Sequence, residues 1–434
     1  MRKRESILLA IQMKKQENNL HVFYFWYLVP LLGSFLVFLF LGLKSFTYYF
    51  FFDEADFFMD FFNSIYQTHF NARISGVYPP FPSMVYALLN FLMPPEVDDV
   101  MLSVRERAFA LRSSPIGITL LALHVGLFFI AFWLLLRAWE KKRNLCLPKW
   151  CLLLSGPLLF AIQRGNIVIY AFLFTFAFYL FNDDSRAGVR QIAYMCLAVA
   201  ANIKLYPAIF GLCIFTRKRW KDVLASIGYG LCLLVLPACL FSGGASATIL
   251  RFCRSLSQFS STGDGSLRFV PYCNFAWKNL SSWVLKFLAK AFDASVLGWE
   301  PVIEKLGLLC LSLMCLWIFA HGKEKWMKSF ALTVLCIFIP GISYRYVLIF
   351  LVLPFLDYCG EKSEVPFVSM CFGLLLTIDM IPWRYPHKPW GMTVSFMLDV
   401  FLLFGLLMYA CIVVWKDSPY SHCQKTLCKE PQRL

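Results

Sequence analysis

The sequence predicts an all-α polytopic membrane protein, a bundle of about a dozen transmembrane helices. Three observations carry that expectation. Of 434 residues, 59% are hydrophobic and 18% aromatic. Only 15% are charged, against about 25% in soluble domains, and the mean hydropathy is +0.63. Twelve apolar runs follow one another along the chain, at 22–43, 116–136, 150–162, 167–181, 192–201, 205–215, 223–241, 306–320, 330–340, 347–358, 367–381 and 392–415. This composition excludes a soluble enzyme, a disordered regulator and a disulfide-framework secreted domain.

A perpendicular span needs ~20 apolar residues, and several of these runs are shorter. Short or broken helices are tolerated where protein or a water-filled cavity surrounds them, so the breaks point to a polar cavity within the bundle. The formal charge of +15 orients the chain rather than announcing nucleic acid. Alternation from a basic start (Arg2, Lys3, Arg4, Lys14, Lys15) places Lys141–Arg143, Arg186 and Arg190, Arg217–Lys221, Lys323–Lys328, Lys362 and the tail on the same, cytoplasmic side. Both termini are then cytoplasmic. That parity requires the Pro-led segment 79–93 to lie on the outer face as an amphipathic or re-entrant helix. The polar, basic first twenty residues do not read as a cleavable leader. The chain is one integral membrane domain, 1–434, with two long outer connections, 48–114 and 242–304, the latter containing a Ser/Gly-rich flexible stretch at 255–266. Trp283, Trp299, Trp383 and Trp390 sit near span ends, as interfacial aromatics do.

The sixteen cysteines are mostly scattered through apolar runs as small hydrophobes, and no spacing reads as a metal site. Cys423 and Cys428, beside His422, read as solvated tail. Cys253 and Cys273 pair only if the long outer loop meets an oxidising compartment.

Two groups of charges stand where charge is expensive. Asp53, Glu54, Asp56 and Asp60 lie among phenylalanines directly after the first span. On a helix Asp53, Asp56 and Asp60 share one face, a stripe that binds a cation, supplies a base, or simply faces water from an interfacial helix. Arg164, Lys204 and Arg345 interrupt apolar sequence at helix ends on the same predicted side. Three converging cations suit a phosphate group, or else pair with the acids to hold the bundle. Asp379, Asp399 and His124 also fall within apolar runs. Asp379 is expected to pair with Arg384, Asp399 is a deeper candidate, and His124 reads as a core histidine.

Taken in order, these motifs resemble those of the GT-C membrane glycosyltransferases, and within them glycosyltransferase family 87, polyprenol-phosphate-mannose-dependent α-mannosyltransferases. Asp56-Phe57-Phe58 with Tyr66 is similar to that family's Asp-led outer-loop helix. Tyr78-Pro79-Pro80-Phe81 resembles its YPP motif, Arg164-Gly165-Asn166 its R-G-(N/Q) turn, Lys204-Leu205-Tyr206-Pro207 its K-x-Y-P turn, and Pro340–Tyr344 its P-x-I-S-aromatic step. Where the family often has a histidine next, this chain has Arg345 and Tyr346.

The resemblance implies a GT-C type bundle with juxtamembrane helices on the outer face, in a cytoplasmic membrane of the bacterial kind. It implies transfer of a mannose-like hexose from a polyprenyl-phosphate donor to a hydroxyl of a lipid- or glycan-linked acceptor, with no cofactor, metal or nucleic acid. Asp56 is then the base, Asp60 its first reserve, and Arg164, Lys204 and Arg345 hold the donor phosphate. Tyr78, Pro79, Pro80, Asn166, Tyr206 and Tyr344 line the substrate groove. One base with direct displacement inverts the anomeric centre; retention by covalent catalysis would call for a second nearby carboxylate. A lipid-linked polysaccharide polymerase or ligase remains open through Arg384 and His387 in WRYPHKPW. A lipid-linked glycan flippase would show matched halves, and none is seen.

Overall fold

A computed structural model describes residues 2–41, 57–68, 70, 78–91, 103–217, 219–261, 274–291, 298–361, 365–377 and 394–417. Helices run in the order α1 (Arg2–Leu41), α2 (Met59–Gln67), α3 (Pro80–Phe91), α4 (Val104–Ser113), α5 (Pro115–Arg143), α6 (Lys149–Leu153), α7 (Gly156–Arg164), α8 (Val168–Phe181), α9 (Ala187–Ile203), α10 (Leu212–Phe215) and α11 (Trp220–Ala238). Then come α12 (Gly244–Ser261), α13 (Trp277–Ala291), α14 (Glu300–His321), α15 (Lys325–Phe338), α16 (Val352–Cys359), α17 (Pro366–Leu376) and α18 (Val394–Lys416). Two 3₁₀ segments, Tyr206–Gly211 and Arg345–Leu351, lead into α10 and α16. Among the described residues extended pairing is confined to one isolated bridge, Asn274 with Tyr344.

The helices are inverted relative to those of a soluble protein. In α5 the buried face carries His124, Phe128, Phe132, Leu136 and Trp139, while Ile118, Leu123, Leu127, Ile130 and Leu134 are exposed on the other. In α14 Leu306, Leu309 and Leu313 are likewise exposed opposite Leu311, Cys315 and Ile318. Two long apolar outer faces suit lipid and not water. Among the described residues four helices are long and apolar enough to cross a membrane: Pro115–Arg143, Trp220–Ala238, Glu300–His321 and Phe396–Lys416. Val168–Phe181, Ala187–Ile203 and Pro366–Leu376 are shorter apolar helices inside the bundle. The high aromatic content fills the interior: Phe132 meets Phe172 edge-on, Phe172 meets Phe350, and Phe350 reaches Phe210 and Tyr206.

The breaks foreseen from the short runs have local causes. The run 150–162 divides into α6 and α7 because Pro157, in the first turn of α7, cannot donate into a preceding helical turn. Tyr27 on α1 donates to the Leu154 carbonyl in the gap, at 3.0 Å. The runs 205–215 and 347–358 are not single α-helices; each starts as 3₁₀ and widens to α. The Pro-led segment does form a helix, α3, tied to α2 by Asn90 Nδ2 donating to the Ile65 carbonyl at 2.7 Å. Within the long connection 242–304 lie α12 and α13. The stretch expected to be flexible from Ser255 is helical through Ser261, because Thr248, Phe252 and Leu256 recur at helical spacing and turn toward the bundle.

Candidate functional site

The site gathers at one end of α7, α8, α9 and α15. Its centre is Asp60, in the first turn of α2. Arg164 Nη2 donates to Asp60 Oδ1 at 2.6 Å, and Asn166 Nδ2 donates to Oδ2 at 2.8 Å. Asn166 Oδ1 in turn accepts from the Val168 N–H at 3.0 Å and starts α8. Between them Gly165 takes φ +63°, the left-handed conformation that ends α7. A Cβ there would stand 2.9 Å from Phe61 Cβ and 3.1 Å from the Phe58 carbonyl oxygen. The R-G-N turn is therefore a clamp: charge, close approach and amide at consecutive positions, each engaging α2. The Phe58 N–H donates to the Gln163 carbonyl at 2.7 Å and completes it. Phe58 itself sits at φ +58°, unusual for an aromatic residue. The clamped carboxylate still exposes 20% of its side chain and Arg164 26%, so the pair is reachable from outside.

Tyr78, Lys204 and Tyr346 lie within electrostatic reach of Asp60. Lys204 follows α9, where Pro207 forces the change to 3₁₀, and its Nζ stands 4.4 Å over the Tyr78 ring centroid. Burial lowers the Lys204 pKa to about 8, against a smaller upward pull from Asp60. Burial, then Asp60, raises the Tyr78 phenol above its ordinary value. Lys204 also opens onto an apolar cavity of about 480 Å³, lined by Pro79, Tyr206, Ile209, Leu256, Ile339 and Ile342 among others. Pro80 is buried at the start of α3. Tyr344 packs against Tyr346, ring centroids 5.7 Å apart.

Arg345 lies deeper. It is buried, with Nη2 3.4 Å from Asp399 Oδ2 on α18, the side chains only 8% and 4% exposed. Asp399→Asn leaves the guanidinium without its facing charge and is expected to destabilise by about 3 kcal/mol. The loss is measurable as a lower melting temperature in detergent, and the paired change Arg345→Met with Asp399→Leu should recover most of it.

The sequence brought Asp60, Arg164, Asn166, Tyr78, Lys204 and Tyr206 to one place, and the structure gathers them there. Of the readings for the three cations, Arg164 pairs with an acid of the stripe, Arg345 pairs instead with Asp399, and Lys204 faces a ring and a cavity. Asp53, Glu54, Asp56, Asp379, Arg384, His387, Cys273, His422, Cys423 and Cys428 lie outside the described residues. His124 is a core residue between Phe61 and Tyr170. Two features were missed. Asn274 Oδ1 accepts from the Ser343 N–H at 2.9 Å, and Phe275 N–H donates to the Ser343 carbonyl at 2.6 Å, latching the P-G-I-S turn to the start of α13. Pairing across 69 residues leaves no local signal. Tyr346 was noted only as a departure from the family pattern.

The model of glycosyltransferase family 87 matches residues 77–354, which takes in the YPP, R-G-N, K-L-Y-P and P-G-I-S-Y segments described above. No curated protein and no solved structure matches the chain. With an all-helical bundle carrying lipid-facing apolar surfaces and these motifs gathered at one end, the chain belongs to glycosyltransferase family 87, a GT-C type family of membrane glycosyltransferases.

Proposed function

We propose that the protein transfers a mannose-like hexose from a polyprenyl-phosphate donor to a hydroxyl of a lipid- or glycan-linked acceptor, at the outer face of the membrane and with inversion. The observation that carries this reading is Lys204, a half-buried cation standing between the Asp60 clamp and an apolar cavity of about 480 Å³. A prenyl phosphate has the same two parts, an anionic head and a hydrocarbon tail. The cavity lining of Pro79, Tyr206, Ile209 and Ile339 suits the tail, and Lys204 at its mouth suits the phosphate.

The leaving group is already a phosphate, so it needs electrostatic stabilisation more than a strong acid. In this reading Lys204 supplies that, assisted by Arg164, which like Lys204 faces Asp60, and by Arg345. The acceptor hydroxyl needs a base as its oxygen attacks the anomeric carbon. Asp60 already accepts three hydrogen bonds, Arg164 Nη2 on Oδ1 and Asn166 Nδ2 with Arg164 Nε on Oδ2, which suits an anchor. Asp56, four residues earlier in sequence, is the base in this reading, with Asp60 the alternative.

The donor affinity should depend on pH through Lys204. Its folded pKa of about 8 lies below the ordinary 10.5, so the free enzyme loses this charge as pH rises through about 8. The KM for a polyprenyl-phosphate sugar is then expected to rise above pH 8. The unfolded chain binds more protons than the folded one between about 8 and 10.5, so this group adds stability as pH rises, opposite in sign to donor binding. Lys204→Met should raise KM by at least tenfold at pH 7 and remove its pH dependence. Radiolabelled polyprenyl-phosphate hexoses in purified protein provide the test. Absence of transfer from any such donor, alongside movement of lipid-linked glycan across vesicles, would overturn the reading in favour of a flippase.

A further inference from the structure

A separate, polar cavity occupies the opposite end of the same helices. It measures about 160 Å³ and is lined by Arg143, Tyr179, Asn182, Asp183, Arg217, Lys325, Lys328 and Ser329, with apolar Cys213 and Phe319. The elements that form it also form the site around Asp60. Helix α8 starts at the Asn166 cap and ends at Asn182, and α15 starts at Lys325 and ends beside Ile339. The segment that begins at Arg345 reaches Asp357. Both α8 and α15 have 14 residues, which separates the two cavities by roughly 20 Å at 1.5 Å per residue.

The floor of this cavity is a finished hydrogen-bond network. Asp357 is buried and accepts from Tyr179 Oη at 2.5 Å and Ser329 Oγ at 2.7 Å, with Arg143 Nη2 4.0 Å away. The wall is not neutral. Asp183 is held by Lys142 at 2.6 Å, and Arg217 Nη2 stands 4.0 Å from it while Nη1 donates to the Asn182 carbonyl. Among the described residues the ammonium groups of Lys325 and Lys328 make no ion pair, although the Lys325 N–H donates to Glu361 Oε1 at 2.8 Å. Four cations (Arg143, Arg217, Lys325, Lys328) thus line the hollow against one lining carboxylate, Asp183, with Asp357 behind Tyr179 and Ser329 and Glu361 beside Lys325.

We infer that this cavity is an anion site that takes a phosphate group, separate from the site around Asp60 and independent of whether that site transfers sugar. The side chains have the chemistry for it. Two guanidiniums can hydrogen-bond phosphate oxygens in the plane of their fork, and two ammoniums add point charge. A basic hollow between helix ends at a bundle's rim is the setting in which anionic lipid headgroups are held. Free phosphate from solution presents the same oxygens, so both sources are tested.

The full-length chain is placed in nanodiscs of phosphatidylcholine with or without phosphatidylglycerol, and retained lipid is read by native mass spectrometry. In parallel, the melting temperature in detergent is followed with inorganic phosphate against matched chloride. Wild type is expected to retain phosphatidylglycerol. Lys325→Gln with Lys328→Gln should retain it on the order of 25-fold less, about fivefold per lysine. Lys325→Arg with Lys328→Arg should keep it, which separates lost charge from damaged fold. A phosphate-induced rise in melting temperature that the glutamine pair abolishes, with no lipid retained, assigns the site to free phosphate. Equal retention and equal phosphate response in wild type and the glutamine pair would overturn the site, as would the absence of both responses in wild type.

Discussion

With Asp56 as the proposed base, Asp56→Asn is expected to lower sugar transfer about 10²–10⁴-fold, the range spanned by loss of a general base, while the folded state persists. Asn keeps the size and shape of Asp and removes only the acceptor charge. Asp60→Asn should behave differently. Asp60 is bound at both oxygens by Arg164 and Asn166, so its amide would lose the charge-assisted bond at 2.6 Å and present a donor to the Asn166 amide. A cost of about 2 kcal/mol in stability should accompany its loss of transfer. The split is the diagnostic: activity lost without stability for Asp56, both lost together for Asp60. Measured by initial rates and detergent melting curves, full transfer by both variants would sink the assignment of a base to this stripe. Loss by Asp60→Asn alone, with unchanged melting, would move the base to Asp60.

What the sequence made legible were charges in the wrong solvent. Arg164 and Lys204 stood out because each interrupts apolar sequence with little loop around it, and an ionisable group there needs a reason. The apolar runs located the helices and the turn ending at Pro207 one break, whereas Pro157 divides a run, 150–162, that reads as one span. Partners were harder. Arg345 was visible, and Asp399 was visible, yet nothing in the chain tied residues 54 apart, and only α18 packed beside the P-G-I-S turn brings them to 3.4 Å. Asp357 escaped notice altogether. It lies near the end of a run read as a span, and the basic residues near it come from the end of α5, the turn at Arg217 and the start of α15, whose convergence is a property of the bundle. The helices of the 242–304 connection were hidden by their Ser and Gly content, which outweighs an amphipathic repeat when the packing partner is unknown.

Of the motifs, R-G-N has the clearest physical necessity, and its middle residue gives the sharpest stability prediction. Gly165→Ala is expected to destabilise the protein by about 2–4 kcal/mol and to reduce transfer more than tenfold. Two separate effects add. The left-handed conformation at φ +63° costs an L-residue roughly 1 kcal/mol, and the new methyl would sit 2.9 Å from Phe61 Cβ and 3.1 Å from the Phe58 carbonyl oxygen. Neither neighbour can swing away, since one is the root of a buried side chain and the other is backbone whose own N–H is bonded to the Gln163 carbonyl. Helix α2 must therefore move as a unit, and Asp60 moves with it out of reach of Arg164 and Asn166. Because both changes break one clamp, Gly165→Ala combined with Asp60→Asn should lose less than the sum of the two single variants. Gly228→Ala is the contrast: a Cβ there meets nothing within 4 Å, and alanine in the middle of α11 should be neutral or slightly stabilising. Equal melting temperatures for Gly165→Ala and Gly228→Ala would mean that α2 is not held by the R-G-N turn, and the clamp would have to be abandoned as the device that positions Asp60.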